Sequence, residues 1–291
     1  MNARLRELES EAIFIIRETQ AAFKNPVCLY SVGKDSSVLI HLIAKAFFPL
    51  RPPIPLLHID TGFKFPEMLE FRDRRAAELG FQLTVHRNEE AIAASMNPHD
   101  HGIGACCGAL KTQALLDALE QGGYDVALGG ARRDEEASRA KERFFSHRDA
   151  LGGWEPRSQR PEPWFHFNTR LKDGESMRAF PLSNWTEADI WDYIAEEGIE
   201  LVPLYFADVR QVKRSGEQLI PLVNTEESGE ALSIRYRTLG CYHCTAAIES
   251  TASTLDDIIA ETATATLSER SSRLIDHGVS TMEDKKREGY F

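Results

Sequence analysis

The segment VCLYSVGKDSSVLIHLIAKAF, residues 27 to 47 of a 291-residue chain, contains the patterns of a strand, a turn and a helix in succession. Four residues, Val27 to Tyr30, predict a short buried strand, and the apolar spacing over 36 to 47 predicts a helix. The turn between them, SVGKDSS (31 to 37), holds a glycine, a lysine and three serines. Because the first N–H groups of a helix lack partners and its N-terminus is positive, this turn suits an anion. The segment therefore predicts a phosphate-binding loop.

The loop is not a Walker A motif. That motif, GxxxxGK[ST], requires a glycine at position 28, which is cysteine here. No Walker A motif occurs elsewhere in the chain. The phosphate cradle must therefore be of another kind.

Strand and helix patterns alternate on the C-terminal side of the loop. Apolar runs at 54–59, 81–86 and 125–128 predict strands, and periodic segments at 66–79 and 110–120 predict helices. A further amphipathic helix is predicted at 3–23. Such alternation is typical of parallel strands joined by crossover helices. We therefore predict an α/β fold, with a parallel twisted sheet and helices on both faces.

Polar, glycine-bearing segments follow three of the predicted strands. They are SVGKDSS, DTG (60–62) and GGARRDEE (129–136). Because ligands of open parallel sheets bind at the carboxyl ends of the strands, we expect these segments to form one site.

Regular patterns weaken after about residue 149. Residues 149–175 are rich in Pro, Gly, Trp and Arg without a period, and we interpret them as a surface excursion that docks a partner or is an ordinary loop. Thr186 caps a predicted helix that stops at Gly198. The last hundred residues are polar, which favours an irregular C-terminal subdomain over a second sheet. We therefore divide the chain into an ATP-binding domain, 1–200, and a subdomain, 201–291, that closes the site and contacts a partner.

Composition restricts the function classes. The net charge of −11 argues against a protein that binds nucleic acid through general phosphate attraction. No apolar run approaches the ~20 residues that span a bilayer, so we expect no membrane association and a cytoplasmic location. In that reducing compartment the five cysteines are expected to be thiols, metal ligands or catalysts rather than disulfides.

Several segments carry a resemblance to a known family. SVGKDSS resembles the SGGKDS loop of the PP-loop ATP pyrophosphatases, with Val32 in place of the first glycine. The segments 56–73, 129–149, 180–194 and the closing KKREGYF resemble the small, catalytic subunit of the bacterial heterodimeric ATP sulfurylases. This resemblance implies a PP-loop fold, ATP as substrate, magnesium, and adenylyl transfer to sulfate with release of pyrophosphate. It also implies a GTPase large subunit as partner.

The resemblance and the strand-end positions together assign site residues. The expected catalytic residues are Lys34, Asp35, Arg132 and Arg133. The expected ATP-binding residues are Ser31, Val32, Gly33, Lys34, Asp35, Ser36, Ser37, His58, Asp60, Thr61, Gly62 and Gly130. The candidates for sulfate or phosphate binding are Arg132, Arg133, Arg139, Arg235 and Arg237.

Alternatives remain at several of these positions. Asp35 or Asp60 would either shape its loop or hold magnesium. His58 would contact the adenine or ribose, or be a half-buried strand histidine. Alternatively, the charged residues beyond 135 would form a solvent-exposed helical face with ion pairs between neighbouring turns. Arg235 and Arg237 would close the site, or be exposed arginines without a role.

Four cysteines set the chain apart from that family. Cys106 and Cys107 are adjacent, and Cys241 and Cys244 form a CxxC pair, enough thiolates for zinc or a 4Fe-4S cluster. Their contexts, ACCGALKT and TLGCYHCT, resemble the cluster-binding segments of iron-sulfur adenylylsulfate reductases. The alternative is four unlinked buried thiols.

This quartet raises a rival function, the reduction of adenylylsulfate. That chemistry uses a separate nucleophilic cysteine, whereas no cysteine follows Cys244 and Cys28 lies inside the first predicted strand. A PP-loop thiolation enzyme acting on nucleic acid is a second rival, disfavoured by the acidic charge. A non-catalytic subunit would leave the three strand-end segments unexplained.

Overall fold

A six-stranded sheet forms the centre of the protein. The structure is a computed structural model that describes residues 1–264 apart from 137, 160, 217, 224 and 226, so the KKREGYF segment lies outside the described residues. The strands are β1 (Pro26–Leu29), β2 (Leu56–Ile59), β3 (Leu83–His86), β4 (Val126–Leu128), β5 (Phe145–Arg148) and β6 (Ser176–Ala179). Their spatial order is β3-β2-β1-β4-β6-β5, and all neighbours are parallel except the β6-β5 pair. The predicted parallel sheet is therefore confirmed, with one antiparallel edge strand added.

Helices cover both faces of this sheet. They are α1 (Ala3–Ala22), α2 (Lys34–Phe47), α3 (Pro66–Glu78), α4 (Glu89–Ala93), α5 (Pro98–Cys107), α6 (Ala114–Gly122), α7 (Glu187–Glu197) and α8 (Leu255–Thr264). The alternation of side chains along β1 separates two hydrophobic clusters: Cys28 packs with α1, α2 and α7, whereas Val27 packs with α6. The arrangement with helices on both faces is thus confirmed.

The start and end of α7 follow the predicted sequence signals. The Thr186 side chain accepts a hydrogen bond from the Asp189 backbone N–H, and the Asp189 carboxylate accepts one from that of Thr186. Gly198 ends the helix with a left-handed φ of 63°. No helix in the described part of the chain is long and apolar enough to cross a membrane.

The expectation of an irregular C-terminal segment is wrong. Strands β7 (Asp208–Ser215), β8 (Gln218–Pro221), β9 (Glu230–Arg235) and β10 (Ile248–Glu249) form an antiparallel sheet in the order β10-β9-β7-β8. The apolar signal of β7 is weak because Val212 is its one buried residue among the eight. Val212 belongs to the same hydrophobic cluster as α2 and α7. The division of the chain near residue 200 stays a prediction.

Strands β5 and β6 were not predicted, because polar residues interrupt their buried positions, namely Ser146, His147 and Arg148 in β5 and Arg178 in β6. Arg148 is fully buried and its guanidinium lies 3.2 Å from the Glu142 carboxylate. Arg178 is also buried, opposite Ser146 in the β5-β6 register. A hydrophobic pattern cannot reveal strands of this composition.

The loop after β4 passes very close to the start of α2. A Cβ atom built on Gly130 would lie 3.1 Å from the carbonyl carbon of Asp35 and 3.2 Å from the backbone nitrogen of Ser36. Because those atoms belong to the backbone of a helix, they cannot move aside as a flexible side chain would. Glycine at 130 therefore permits this approach.

We expect Gly130→Ala to lower the free energy of unfolding by about 1–3 kcal/mol, the usual cost of an overpacked site. Gly104→Ala is the matched control, since a Cβ there would meet no atom within 4 Å. Urea unfolding of both variants measures the effect. Equal stability of the two variants would show that the approach at Gly130 is not tight.

Candidate active site

A cleft opens at the carboxyl ends of β1, β2 and β4. Its walls come from the segment after β1, from β2 and the turn that follows it, and from residues 130–139 after β4. Tyr205 and the segment 238–240 line it from the C-terminal side. Two of the three expected strand-end segments therefore contribute directly to one cleft, and the third contributes through its neighbour Lys64.

The backbone conformation of Val32 shows why the PP-loop favours glycine at this position. Its φ is +66°, a left-handed conformation that is strained for a β-branched residue, by about 1–3 kcal/mol. The side chain is fully buried in the main hydrophobic cluster and does not line the cleft. The valine thus anchors the loop in the core instead of standing between the backbone and a ligand.

The N-terminus of α2 points its first backbone amides toward the cleft. Gly33 is the N-cap and offers no side-chain hydrogen bond, while the Lys34 N–H donates to the Tyr205 hydroxyl at 2.7 Å. Among the described residues no acceptor is found for the N–H groups of Asp35 and Ser36. These amides and the helix dipole provide an anion-binding position.

Asp35 joins two cations beneath this helix start. Its carboxylate oxygens lie 3.2 Å from Lys34 Nζ and 2.6 Å from Arg132 Nε, and both cationic side chains are about 1% exposed. Burial alone would raise the pKa of Asp35, but Lys34 and Arg132 outweigh it and hold that pKa below its usual value. Asp35 is therefore ionised at neutral pH, with both oxygens engaged by the protein.

His58 contributes a neutral imidazole to the cleft. It is 1% exposed, and its Nδ1–H donates to the Tyr30 carbonyl at 2.8 Å, because a carbonyl can only accept. Burial, reinforced by the charge of Lys64, lowers the pKa of His58 to about 3. Nε2 has no hydrogen-bond partner among the described residues, so it presents a buried acceptor.

The cleft is locally cationic although the chain is acidic. Lys34, Lys64, Lys111 and Arg139 line it, against the carboxylates of Asp35 and Glu135. Arg139 is 5% exposed and lies in a short 3-10 turn, not on a solvated helix. Its Nε and Nη1 have no hydrogen-bond partner among the described residues, and Glu142 lies 3.8 Å from Nη1.

A second, smaller cavity adjoins the turn after β2. All four cysteines of the quartet line it, together with Thr61, Phe63, Pro98, Leu110, Lys111 and His243. None of the four forms a disulfide. Hydrogen bonding from Cys244 holds the pKa of the Cys241 thiol well below its usual value, and burial raises that of Cys106 to about 11. In the part of the chain that is described, no group of three or more His, Cys, Asp or Glu side chains is arranged to hold a metal ion.

Comparisons with known proteins agree with this geometry. The sequence model of the phosphoadenosine phosphosulfate reductase domain matches residues 25–247. The chain is 56% identical over 294 residues to "Sulfate adenylyltransferase subunit 2" of Chelativorans sp. BNC1, covering 99% of this chain and 98% of the relative. The protein of the same name from Xanthomonas oryzae is 57% identical, with 99% and 97% covered. This chain belongs to the sulfate adenylyltransferase subunit 2 family.

A solved structure supports the fold of this family member. FMN adenylyltransferase from Candida glabrata superimposes with a TM-score of 0.51 at 14% identity, over 93% of this chain and 88% of that one. At this identity the likeness concerns the fold alone. The fold is therefore shared with an adenylyltransferase of unrelated sequence.

The predicted ATP-binding residues of this family member divide between the cleft and its support. Ser31, Gly33, Lys34, Asp35, Ser36, His58 and Gly130 line the cleft. Val32, Ser37, Asp60, Thr61 and Gly62 do not. The Asp60 carboxylate accepts from the Gly62 N–H at 2.9 Å and lies 3.1 Å from Arg87, so it shapes the turn.

Four of the predicted arginines also lie outside the cleft lining. Arg132 lies behind Asp35, and the guanidinium of Arg133 stacks 4.9 Å from the Phe144 ring. Arg235 binds the Glu261 carboxylate, with its Nη2 at 2.6 Å. Arg237 binds Glu187 at 2.9 Å beside the cleft residue Thr238.

Sequence reasoning missed Lys64, Lys111 and Tyr205. Lys64 follows the DTG segment by two residues, so its position after a strand was a usable signal. Lys111 follows the paired cysteines by four residues. Tyr205 contacts Lys34 from a distant part of the chain, and no local sequence pattern predicts that contact.

The buried His58 makes stability dependent on pH. An unfolded histidine has a pKa of about 6.5, so between that value and about 3 the unfolded chain binds a proton that the folded chain does not. Stability is therefore lost as the pH falls. Between pH 7 and pH 5 we expect the wild type to lose about 2 kcal/mol more than His58→Asn, which keeps an N–H donor for Tyr30. Urea unfolding at both pH values measures the difference, and equal losses would contradict the burial argument.

Proposed function

We propose that the chain transfers the adenylyl group of ATP to sulfate, giving adenylylsulfate and pyrophosphate. A sulfate oxygen attacks the α-phosphorus, a new P–O bond forms, and the bond from that phosphorus to the β-phosphate oxygen breaks. The observation that carries the proposal is a cationic cleft at the N-terminus of α2, in a chain 56–57% identical to proteins named sulfate adenylyltransferase subunit 2. The names of those relatives supply the reaction.

The loop from Ser31 to Ser37 would bind the phosphates of ATP. The N–H groups of Asp35 and Ser36 supply hydrogen bonds, and Lys34 neutralises charge that accumulates on the departing pyrophosphate. Asp35 and Arg132 hold Lys34 in place through the ion pairs already described. Magnesium would enter as the MgATP complex, since both Asp35 oxygens are engaged by cations.

His58 would form a hydrogen bond with the nucleoside part of ATP. Its Nε2 is an acceptor, and the adenine amino group is a donor of ATP that matches it, as are the ribose hydroxyls. Arg139 offers a planar guanidinium to phosphate or sulfate oxygens. Arg133, Arg235 and Arg237 would act by holding the surrounding segments through their own contacts.

We infer a GTPase large subunit as the partner. The relatives are named as subunits, and the family resemblance implies that GTP hydrolysis drives an otherwise uphill transfer. The chain carries no Walker A motif with which to bind GTP itself. The excursion at 149–175 exposes Leu151 and Trp164 at 86% and 85% and is our candidate docking surface. We place the complex in the cytoplasm.

We further propose that Cys106, Cys107, Cys241 and Cys244 hold a 4Fe-4S cluster. All four cysteines line one cavity, and four thiolates are the usual donor set of such a cluster, although the described side chains are not already arranged as a metal site. When bound, the cluster would supply a redox-active centre next to the cleft. The residues of the chain would contribute the thiolates and, through Lys111, a neighbouring positive charge.

Adenylylsulfate reduction is a second candidate function of the same cleft, and the positions of the cysteines disfavour it. Four of the five cysteines surround the second cavity, which leaves Cys28 as a separate nucleophile. Cys28 is fully buried in β1, and burial raises the pKa of its thiol far above the usual value. A buried neutral thiol cannot attack a bound substrate.

The decisive assay supplies MgATP and labelled sulfate to the chain with its large subunit and GTP. We expect adenylylsulfate to form, and we expect Lys34→Gln to lower kcat by at least about 100-fold because pyrophosphate departs without its cation. Lys24→Gln, at an exposed lysine before β1 and so at the opposite end of the sheet from the cleft, is the control with unchanged rate. Sulfite release from adenylylsulfate, without sulfate activation, would establish the reductase reading instead.

Anaerobic purification tests the cluster proposal. We expect about four iron and four sulfide per chain with broad absorbance near 400 nm, and loss of both in Cys241→Ser. Cys28→Ser, at the cysteine outside the cavity, is the matched control and should retain them. A colourless, iron-free wild-type protein with full transferase activity would contradict the cluster proposal.

A further inference from the structure

Lys64 is a buried cation of the cleft that pairs with no carboxylate among the described residues. Its side chain is 8% exposed and lines the cleft. Among the described residues, no carboxylate lies within ion-pair distance of Lys64 and no hydrogen bond satisfies its ammonium group. A cation that lines a cleft without a carboxylate partner can bind an anionic ligand without first giving up an ion pair.

The backbone around Lys64 is fixed from both sides. Lys64 forms an antiparallel bridge with Cys241, and the Tyr242 N–H donates to the Phe63 carbonyl at 2.9 Å. The preceding turn is held by Asp60, whose carboxylate accepts from the Gly62 N–H at 2.9 Å. The ammonium is therefore carried by a preorganised segment, as a binding residue should be.

The cations of the cleft form two groups with different surroundings. Lys34 lies at the start of α2 and is 3.2 Å from the Asp35 carboxylate. Lys64 follows β2, its backbone is bridged to that of Cys241, and its charge contributes to the lowered pKa of His58. Lys111 lies on the same side, since it also lines the cysteine cavity. Two separate cationic positions match a reaction in which two anions must meet.

We propose that Lys64 binds the sulfate substrate beside the α-phosphate of the nucleotide. This inference rests on the proposed adenylyl transfer and adds to it the residue that holds the second substrate. The nucleotide phosphates already have the amides of α2 and Lys34, whereas Lys64 has no carboxylate partner among the described residues and would bind a tetrahedral dianion. Lys64 does not itself transfer a proton or form a bond.

This role predicts which kinetic constant should change. During the transfer, negative charge leaves the sulfate and accumulates on pyrophosphate, so a cation at the sulfate binds the ground state at least as well as the transition state. Removing that cation should therefore raise KM for sulfate and change kcat little. The opposite pattern is expected at Lys34, which faces the leaving group.

The test measures KM for sulfate and KM for MgATP in the complex with the large subunit. For Lys64→Gln we expect a rise of at least tenfold in KM for sulfate, with KM for MgATP and kcat within about threefold of wild type. Lys64→Arg should recover part of the affinity, and exposed Lys24→Gln is the control. A rise confined to KM for MgATP would assign Lys64 to the nucleotide, and equal rises would assign it a structural role. Either result overturns the proposal.

A binding readout separates this proposal from the transferase assignment. Sulfate, at ionic strength matched with chloride, should raise the melting temperature of the wild-type chain more than that of Lys64→Gln, and phosphate serves as the second tetrahedral anion. Without sulfate, Lys64→Gln should melt no lower than wild type, because an unpaired buried charge has been removed. Sulfate stabilisation lost in the variant supports the site even if no adenylylsulfate forms. Equal sulfate stabilisation of both chains contradicts it.

Discussion

The carboxylate of Asp35, shared between Lys34 and Arg132, holds the two main loops of the site together. Lys34 and Asp35 begin α2, and Arg132 arrives from the loop after β4. Two cations that are about 1% exposed would be very costly without this shared counter-charge. The same loop brings Gly130 to within a few ångströms of the helix backbone, so the ion pairs and the close contact depend on each other.

The charge of the cleft is opposite in sign to the net charge of the chain. The chain carries a net charge of −11, yet the cleft is lined by more cations than carboxylates. An acidic surface disfavours polyanions such as nucleic acids, which need an extended cationic face. A small anion can still enter a cleft where buried cations are poorly screened by solvent. The fold therefore selects compact anions over long ones.

Local sequence signals predicted the parts of the fold that depend on local physics. The loop at 31–37, the cap at Thr186 and the stop at Gly198 follow from backbone hydrogen bonding and conformational freedom near each residue. The second sheet was missed because Val212 is the one buried residue of its longest strand. Strands β5 and β6 were missed because a buried arginine interrupts the apolar pattern of each.

The site residues likewise divide into those that local sequence places and those that depend on tertiary structure. Lys34, Asp35 and Gly130 lie on the cleft because they follow strands, which sequence can place. Asp60 also follows a strand, but its carboxylate is used by Gly62 and Arg87, and no spacing rule reveals such competition. The contact between Tyr205 and Lys34 joins residues 171 positions apart and depends wholly on tertiary structure.

The C-terminal third of the chain forms one wall of the cleft, and this wall is shared with the cysteine cavity. Cys241 pairs with the backbone of Lys64, and its sulfur lies 3.1 Å from the Thr61 hydroxyl. Lys111 lines both cavities. The cysteine cavity and the cationic wall of the cleft therefore share the paired backbone of Lys64 and Cys241 and the side chain of Lys111.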